Sequence, residues 1–293
     1  MKFLIFGASG PIGFNLFEYF KKNGHIVKGT YFRNNPNVFD LYQIDISDKE
    51  QINKIIKNTE PDFVIDCVAL AGVDLAETDN KLAHSITVVG TQNIIQGCKP
   101  LKNKIIYVST SYVYSDDNDI SSENSMTEPS TYYGKTKLLA EKNVIDSDLD
   151  HIILRTDQPY FWTKSWQRDN SIIRLLKSIK NKQKFNEIVD WNNNPTYIPD
   201  ISQSLDLLIQ KNKTGIYNIV GNDFVNRYHW SVKVAEIFGL DTSLINPIQS
   251  SKLKISIKRP NINSTNKKLL LDTGYKMKGI VNGASSMKTI LDG

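Results

Sequence analysis

Cysteine and histidine are scarce in this chain. Cys67 and Cys98 are the only cysteines and do not form a CxxC pair, which excludes a framework of disulfides and makes a reducing cytoplasm the expected compartment. His25, His84, His151 and His229 are scattered without a close-set ligand pattern, so no metal site is expected. Long apolar runs are also missing. The longest, Phe63 to Val73, is interrupted by Asp66 and falls far short of the roughly 18 residues of a membrane span. Met1 to Phe6 runs straight into a glycine loop without the zones of a signal peptide, so neither export nor a membrane partner is expected.

Nor does charge of one sign dominate. The net charge of +5 comes from 36 basic and 31 acidic residues spread through both halves, a balance that favours anionic ligands without requiring nucleic acid. A short cluster at Lys252, Lys254, Lys258 and Arg259 either lines a phosphate site or forms a solvated face. What the chain does have is size: 293 residues, 40% of them hydrophobic and 23% charged, are enough for a large core, and intrinsic disorder is excluded.

Residues 2 to 157 alternate apolar runs with longer amphipathic segments, the rhythm of an α/β fold with a Rossmann-type doubly wound parallel sheet. Strands are expected at Lys2–Phe6, Ile26–Phe32, Phe63–Cys67, Lys104–Ser109 and His151–Arg155, and helices at Ile12–Asn23, Lys49–Asn58, Asn80–Cys98 and Thr131–Ser147. After Asp157 the pattern loosens into Trp-, Asn- and Pro-rich stretches around helices at Ser171–Asn181, Ile201–Lys211, Tyr228–Phe238 and Gly279–Leu291 and a strand at Gly215–Val220. Residues 1–157 therefore read as a dinucleotide-binding domain that also holds the catalytic groups. Residues 158–293 read as a smaller α/β region for substrate, with strand and helix returns to the first domain allowed for. Oligomeric state is scarcely legible: Asn80–Cys98 and Thr131–Ser147 are either helices facing a second copy in a homodimer or helices covered by the C-terminal region.

Gly7, Gly10 and Gly13 form a GxxGxxG loop at the first strand-to-helix turn. There, backbone N–H groups and the positive end of a helix receive a pyrophosphate, with Ser9, Pro11 and Ile12 alongside. The acid that usually binds the ribose of NAD about 20 residues later is missing, since no Asp or Glu lies between Glu18 and Asp40. Arg33 offers instead a charged fork for a 2′-phosphate, with Thr30 as a second donor, which favours NADPH and leaves NADH as the lesser choice. The bland alternative for Arg33 is a surface arginine. Asp45 and Ile46 lie either near the adenine or in an Asx turn followed by a Ser47 helix cap.

Tyr133 and Lys137 stand four residues apart near the start of an amphipathic helix, one face of which then carries a proton donor and a cation that favours its phenolate. Tyr132 and Lys135 face other directions. The strand before that helix delivers Thr110 and Ser111 at its carboxyl end, where a hydroxyl can hold and polarise a carbonyl oxygen. An exposed Tyr/Lys pair is the bland reading, and the company of Thr110 argues against it.

Taken together, Gly7–Gly13, the stretch Gly72-Val-Asp-Leu-Ala-Glu77, Val108-Ser-Thr-Ser-Tyr-Val-Tyr114, Tyr133-Gly-Lys-Thr-Lys137, Asn194-Pro-Thr196 and Arg259-Pro-Asn-Ile-Asn-Ser264 resemble the extended short-chain dehydrogenase/reductases, above all their dTDP-4-dehydrorhamnose reductase branch. The likeness spans nearly the whole chain. It implies NADPH-dependent reduction of the C4 keto group of a nucleotide-linked 4-keto-6-deoxy sugar, with Thr110, Tyr133 and Lys137 in the catalytic roles. It implies further that Ala69, Leu70 and Ala71 line the cofactor, that Ser111, Asn194, Thr196 and Arg259 join Thr110 and Tyr133 around the sugar nucleotide, and that Pro195 and Pro260 shape the loops. The chain departs from the branch at Ser111, where an Asp is usual, at Thr87, where an Asn is common, at Leu70-Ala71, where polar residues are usual, and in the Trp-rich insertion around Tyr160–Trp166. Two other readings follow from the same resemblance: a sugar-nucleotide epimerase or epimerase/reductase, and a non-catalytic regulatory subunit resembling the methionine adenosyltransferase β subunit.

Overall fold

β1 (Lys2–Phe6) buries every residue after Lys2, as a strand covered on both faces must. α1 (Pro11–Lys22) opens with proline in its first turn, where the missing N–H has no helical partner to lose. β2 (Ile26–Tyr31), β3 (Leu41–Gln43), α2 (Lys49–Thr59) and β4 (Phe63–Asp66) follow. α3 (Val73–Thr78) and α4 (Asn80–His84) come next, and a π-helical turn over Ser85–Val89 links α4 to α5 (Gly90–Cys98), so the single helix expected over Asn80–Cys98 is a composite. β5 (Lys104–Thr110), α6 (Tyr132–Ile145) and β6 (His151–Thr156) complete the first half. The second half runs β7 (Pro159–Tyr160), α7 (Ser171–Lys180), β8 (Phe185–Ile188), β9 (Asn192–Asn193), β10 (Thr196–Tyr197), α8 (Ile198–Gln210), β11 (Gly215–Asn218), β12 (Val225–Asn226), α9 (Arg227–Phe238), β13 (Ile245–Ile248), α10 (Lys267–Thr273) and α11 (Ile280–Asp292). This computed structural model describes residues 1–70, 72–116, 119–253 and 257–292.

Seven strands form one parallel sheet in the order β11-β6-β5-β4-β1-β2-β3. The chain winds outward from β1 to β3 and then restarts on the other side with β4. The ends of β1 and β4 therefore border the crevice where an open α/β sheet binds its ligand. On one face Phe3, Ile5, Leu16, Phe20, Leu205 and Leu208 pack the sheet against α1 and α8; on the other, Leu4, Phe6, Ile52, Ile94 and Val144 pack it against α2, α5 and α6. A third cluster, including Leu175, Trp230, Val234 and Met287, joins α7, α9 and α11.

Two features of the first half fix the catalytic elements. In the β5–β6 register Thr110 lies opposite Thr156, so the residues that follow both strands emerge side by side. Glu141 of α6 is buried and takes Arg155 of β6 (Nη2 to Oε2, 2.6 Å) together with the Ser109 hydroxyl. That paired charge clamps α6 onto the strands that carry Thr110 and Asp157. Among the described residues no helix is long and apolar enough to cross a membrane, and no three potential metal ligands cluster.

Candidate active site

A cleft of about 430 Å³ opens at the carboxyl ends of β1, β4, β5 and β6, and Gly10, Pro11, Ile12 and Gly13 form one of its borders. Gly7 has φ +75°, a left-handed conformation that side chains disfavour. A Cβ on Gly13 would collide with the Gly7 carbonyl, so this loop has the tight cradle that a diphosphate requires. Thr30 lies beneath it: the buried hydroxyl accepts the Gly7 N–H at 3.2 Å, which shapes the loop rather than reaching outward. The carbonyl of Ser9 faces away from the cradle and accepts from Trp166 Nε1 (3.2 Å) and Gln167 Nε2 (2.9 Å), tying the Trp-rich insertion to the loop.

Arg33 is exposed just beyond β2, with its guanidinium over the Phe32 ring. Asp45 accepts from both the N–H and the hydroxyl of Ser47, so the Asx turn is the reading that the geometry carries, while Asp48 rather than Ser47 caps α2. The Ile46 side chain packs against Gly90. Ala69 and Leu70 line the cleft after β4. Ala71 lies outside the described residues, as does Lys254 of the basic cluster.

Thr110, Tyr133 and Lys137 all line the same cleft. Thr131 caps α6 by accepting the Gly134 N–H at 3.0 Å, which fixes the first turn and sets Tyr133 and Lys137 on one face, a turn apart. Thr110 ends β5, and its Oγ1 accepts the Tyr112 N–H. Lys137 donates from Nζ to the carbonyls of Val108 (2.9 Å) and Val68 (3.4 Å) and lies over the Tyr107 ring. Burial pulls its ammonium below the ordinary lysine range, and the carboxyl of Asp66 counters this. Asp66 is itself buried, accepts from Thr91 and the Val68 N–H, and is pushed up by desolvation.

The tyrosine titrates differently from the expectation set by spacing. Desolvation pushes the Tyr133 phenol up to about 12, a hydrogen bond from Thr110 works against that, and the nearby Asp157 adds to it. Lys137 points to the Val108 and Val68 carbonyls, and burial is the largest influence on Tyr133. The cleft holds a protonated phenol, which is the form that gives a proton.

The residues carried over for the sugar nucleotide separate into different places. Asn194 is buried and fully engaged: its N–H goes to Asp157, its Nδ2 to the carbonyls of Gly221 and Asp223, and its Oδ1 accepts the Ser264 N–H. Thr196 is fully buried and bridges the Asn194 carbonyl and the Gly221 N–H. Both staple loops behind the cleft instead of lining it. Ser111 is buried beside Thr110 and faces Asp157. Arg259 forms an ion pair with Asp74 and lies over the Trp191 ring, at the edge of the cleft. Sequence reasoning missed Asp157, Trp191 and Cys67, which line the cleft, and Asp66, which supports Lys137. Asp157 carried one usable signal: it follows a strand at its carboxyl end.

Against known proteins, the family described as the RmlD substrate binding domain matches residues 1–279. The chain belongs to this family. Among curated relatives, a dTDP-4-dehydrorhamnose reductase of Aggregatibacter actinomycetemcomitans is 28% identical over 271 residues, covering 88% of each chain. Methionine adenosyltransferase 2 subunit beta of Rattus norvegicus is 25% identical over 263 residues, covering 88% of this chain and 78% of the relative. In three dimensions the dTDP-4-dehydrorhamnose reductase of Bacillus anthracis, solved with NADP, superposes with a TM-score of 0.84 at 22% identity over 99% of both chains. The relatives thus include both a protein named as a reductase and one named as a subunit of another enzyme. Those names agree with the α/β sheet and with the extended short-chain dehydrogenase/reductase resemblance, and they leave the reaction to be argued from the cleft.

Proposed function

We propose that the chain is an NADPH-dependent reductase acting on the C4 keto group of a nucleotide-linked 4-keto-6-deoxy sugar. The observation that carries this reading is convergence: a glycine cradle, a strand-end hydroxyl and a Tyr/Lys pair border one cleft. The family's dTDP-4-dehydrorhamnose reductases supply the substrate class. Gly10 to Gly13 would hold the cofactor's diphosphate, Ala69 and Leu70 its neighbouring wall, and Arg33 a 2′-phosphate. When bound, the nicotinamide supplies the hydride.

The chain's own residues do the rest. Tyr133 holds the proton at Oη that the carbonyl oxygen takes as it is reduced. Thr110 donates beside it and fixes where that oxygen sits. Lys137, anchored on the Val108 carbonyl, keeps positive charge close to the phenolate left behind. Arg259 at the rim has the fork to meet a nucleotide diphosphate on exchanging its Asp74 partner. Nicotinamide absorbance followed with NADPH and a panel of dTDP- and UDP-linked 4-keto-6-deoxy sugars tests the reading. Oxidation of NADPH with one of them is the expected result, and binding of NADPH with no turnover of any sugar defeats it. A changed stereocentre without cofactor consumption would mark an epimerase.

A second reading rests on the methionine adenosyltransferase relatives and on Ser111, which supplies no charge next to Thr110: the chain serves as a regulatory subunit. Co-purification with a methionine adenosyltransferase, together with absent reductase activity, is the outcome that would establish it.

A further inference from the structure

Asp157 is the group in this cleft that the mechanism above does not use. It is buried, borders the cleft immediately after β6, and emerges beside Thr110 because Thr110 and Thr156 are register partners. Oδ2 accepts the Asn194 N–H at 2.8 Å, and the Ser111 hydroxyl and Gln158 N–H stand by the same carboxyl. Arg227 faces it from α9, but that guanidinium is already held by Glu187 (Nε to Oε1, 3.0 Å; Nη2 to Oε2, 3.1 Å) and by Gln158. Asp157 therefore has no ion-pair partner among the described residues. A carboxylate offers about four acceptor positions, and its neutral neighbours leave room for another donor.

Two other polar groups of cleft residues also lack partners. The Thr156 hydroxyl, on a residue only 6% exposed, and the Trp191 indole N–H are buried at atom level and have no hydrogen-bond partner among the described residues. Both residues line the cleft. Leaving such a group unmatched costs about 1–3 kcal/mol, so buried exceptions call for an explanation. Both atoms are covered by protein, so the acceptor that borders the cleft is Asp157 itself, and it matches a ring hydroxyl, which can donate to it. It does not match a diphosphate, which Asp157 would repel.

We propose that Asp157 forms a subsite that grips the sugar hydroxyl on the carbon next to the reacting carbonyl, making Asp157 a specificity-determining residue. This deepens the reductase reading and rests on it. Thr110 and Tyr133 define where the carbonyl oxygen lies, and Asp157 emerges alongside, so the hydroxyl on the adjacent ring carbon is the group in reach. Burial pushes the Asp157 carboxyl up to about 7, consistent with a site whose acceptor is completed by a ligand rather than by a cation.

The test compares a nucleotide-linked 4-keto-6-deoxy sugar with its 3-deoxy counterpart, using the NADPH-loaded full chain as wild type, Asp157→Asn and Asp157→Ala. Asp157→Ala is expected to lower kcat/KM about ten- to hundredfold on the hydroxylated sugar, as for loss of a hydrogen bond to a charged group, and less than threefold on the deoxy sugar. Asp157→Asn, which keeps a neutral acceptor oxygen, should fall between. Because Ser111 faces Asp157, adding Ser111→Asp to Asp157→Ser should recover much of the discrimination. Equal losses on both sugars would overturn the subsite, as would a deoxy sugar turned over by wild type as well as its hydroxylated partner. If wild type reduces neither sugar, the reductase reading falls separately. Calorimetry with the corresponding 4-hydroxy nucleotide sugars on the NADP-loaded protein then decides: weaker binding of the 3-deoxy form by wild type but not by Asp157→Ala supports the subsite, and equal binding or none overturns it.

Discussion

On the α6 side of the cleft, the ionisable groups are locked to protein: Lys137 holds the Val108 and Val68 carbonyls, Asp66 holds Thr91 and a backbone N–H, and Glu141 holds Arg155. On the β6 side Asp157 borders the cleft with a carboxyl that has only neutral hydrogen-bonding neighbours. The difference separates two tasks. Groups that move a proton must be in place before substrate arrives, since positioning during the reaction adds to the barrier. Groups that recognise substrate are completed by it, and their unmet hydrogen bonds become binding energy for the right ligand and a penalty for the wrong one.

The largest break in this contrast comes from the prearranged side. Tyr133→Phe removes the proton donor while leaving the glycine cradle untouched, and turnover should fall about two to four powers of ten with NADPH binding unchanged, read by nicotinamide absorbance and fluorescence. Lys137→Met leaves the Val108 and Val68 carbonyls without their donor and removes the cation that faces buried Asp66, and stability should drop by about 1–3 kcal/mol in urea unfolding. Adding Asp66→Asn should return the part due to charge; no return would show that the carbonyl hydrogen bonds, and not Asp66, hold the lysine.

Asp157→Asn probes the other wall and should act in the opposite direction on stability. A carboxyl raised from 3.8 to about 7 binds its proton more tightly folded than unfolded, so the native state loses stability as pH rises between those two values and levels off above the second. The variant should therefore be more stable than wild type at pH 8, by about 2 kcal/mol against a ceiling of about 4, and the gain should vanish near pH 4 in paired urea titrations. The smallest expected effect is at the rim. Arg33→Ala should raise the KM for NADPH about tenfold, the loss of one exposed charged contact, and leave the KM for NADH unchanged. Equal changes for both cofactors would remove Arg33 from the 2′-phosphate site.

What the sequence disclosed follows the same division. The Gly7–Gly13 turn and the Tyr133/Lys137 pair are local patterns, since φ at one glycine and a four-residue helical spacing are properties of neighbouring positions. The main strands and helices were legible for a related reason, their apolar periodicity. β3, three residues long, and α3, six residues long, are too short to show a period, and the π-helical turn leaves no mark in the pattern of Asn80–Cys98. Asp157 and Trp191 gain their meaning only from strand register and from a chain that returns many residues later. Asn194 and Thr196 show the converse. Their motif marks a junction where the loops around Asp157, Gly221 and Ser264 are stitched together, and a polar residue that closes such a junction looks, in one dimension, like one that meets a ligand.

The place of β11 at the end of the sheet has a mechanical consequence. Its ladder with β6, from Ile152 against Gly215 to Arg155 against Asn218, binds late chain to the very strand that ends at the cleft, and α8 lies on α1 behind it. Chain from beyond residue 157 is thus built into the same sheet as the glycine loop, and the two halves of the sequence are not separate bodies. The stretch from Trp162 to Gln167 adds a second seam: its two side-chain hydrogen bonds to the Ser9 carbonyl fasten the glycine turn to chain more than 150 residues later, so that turn is held from both ends of the sequence.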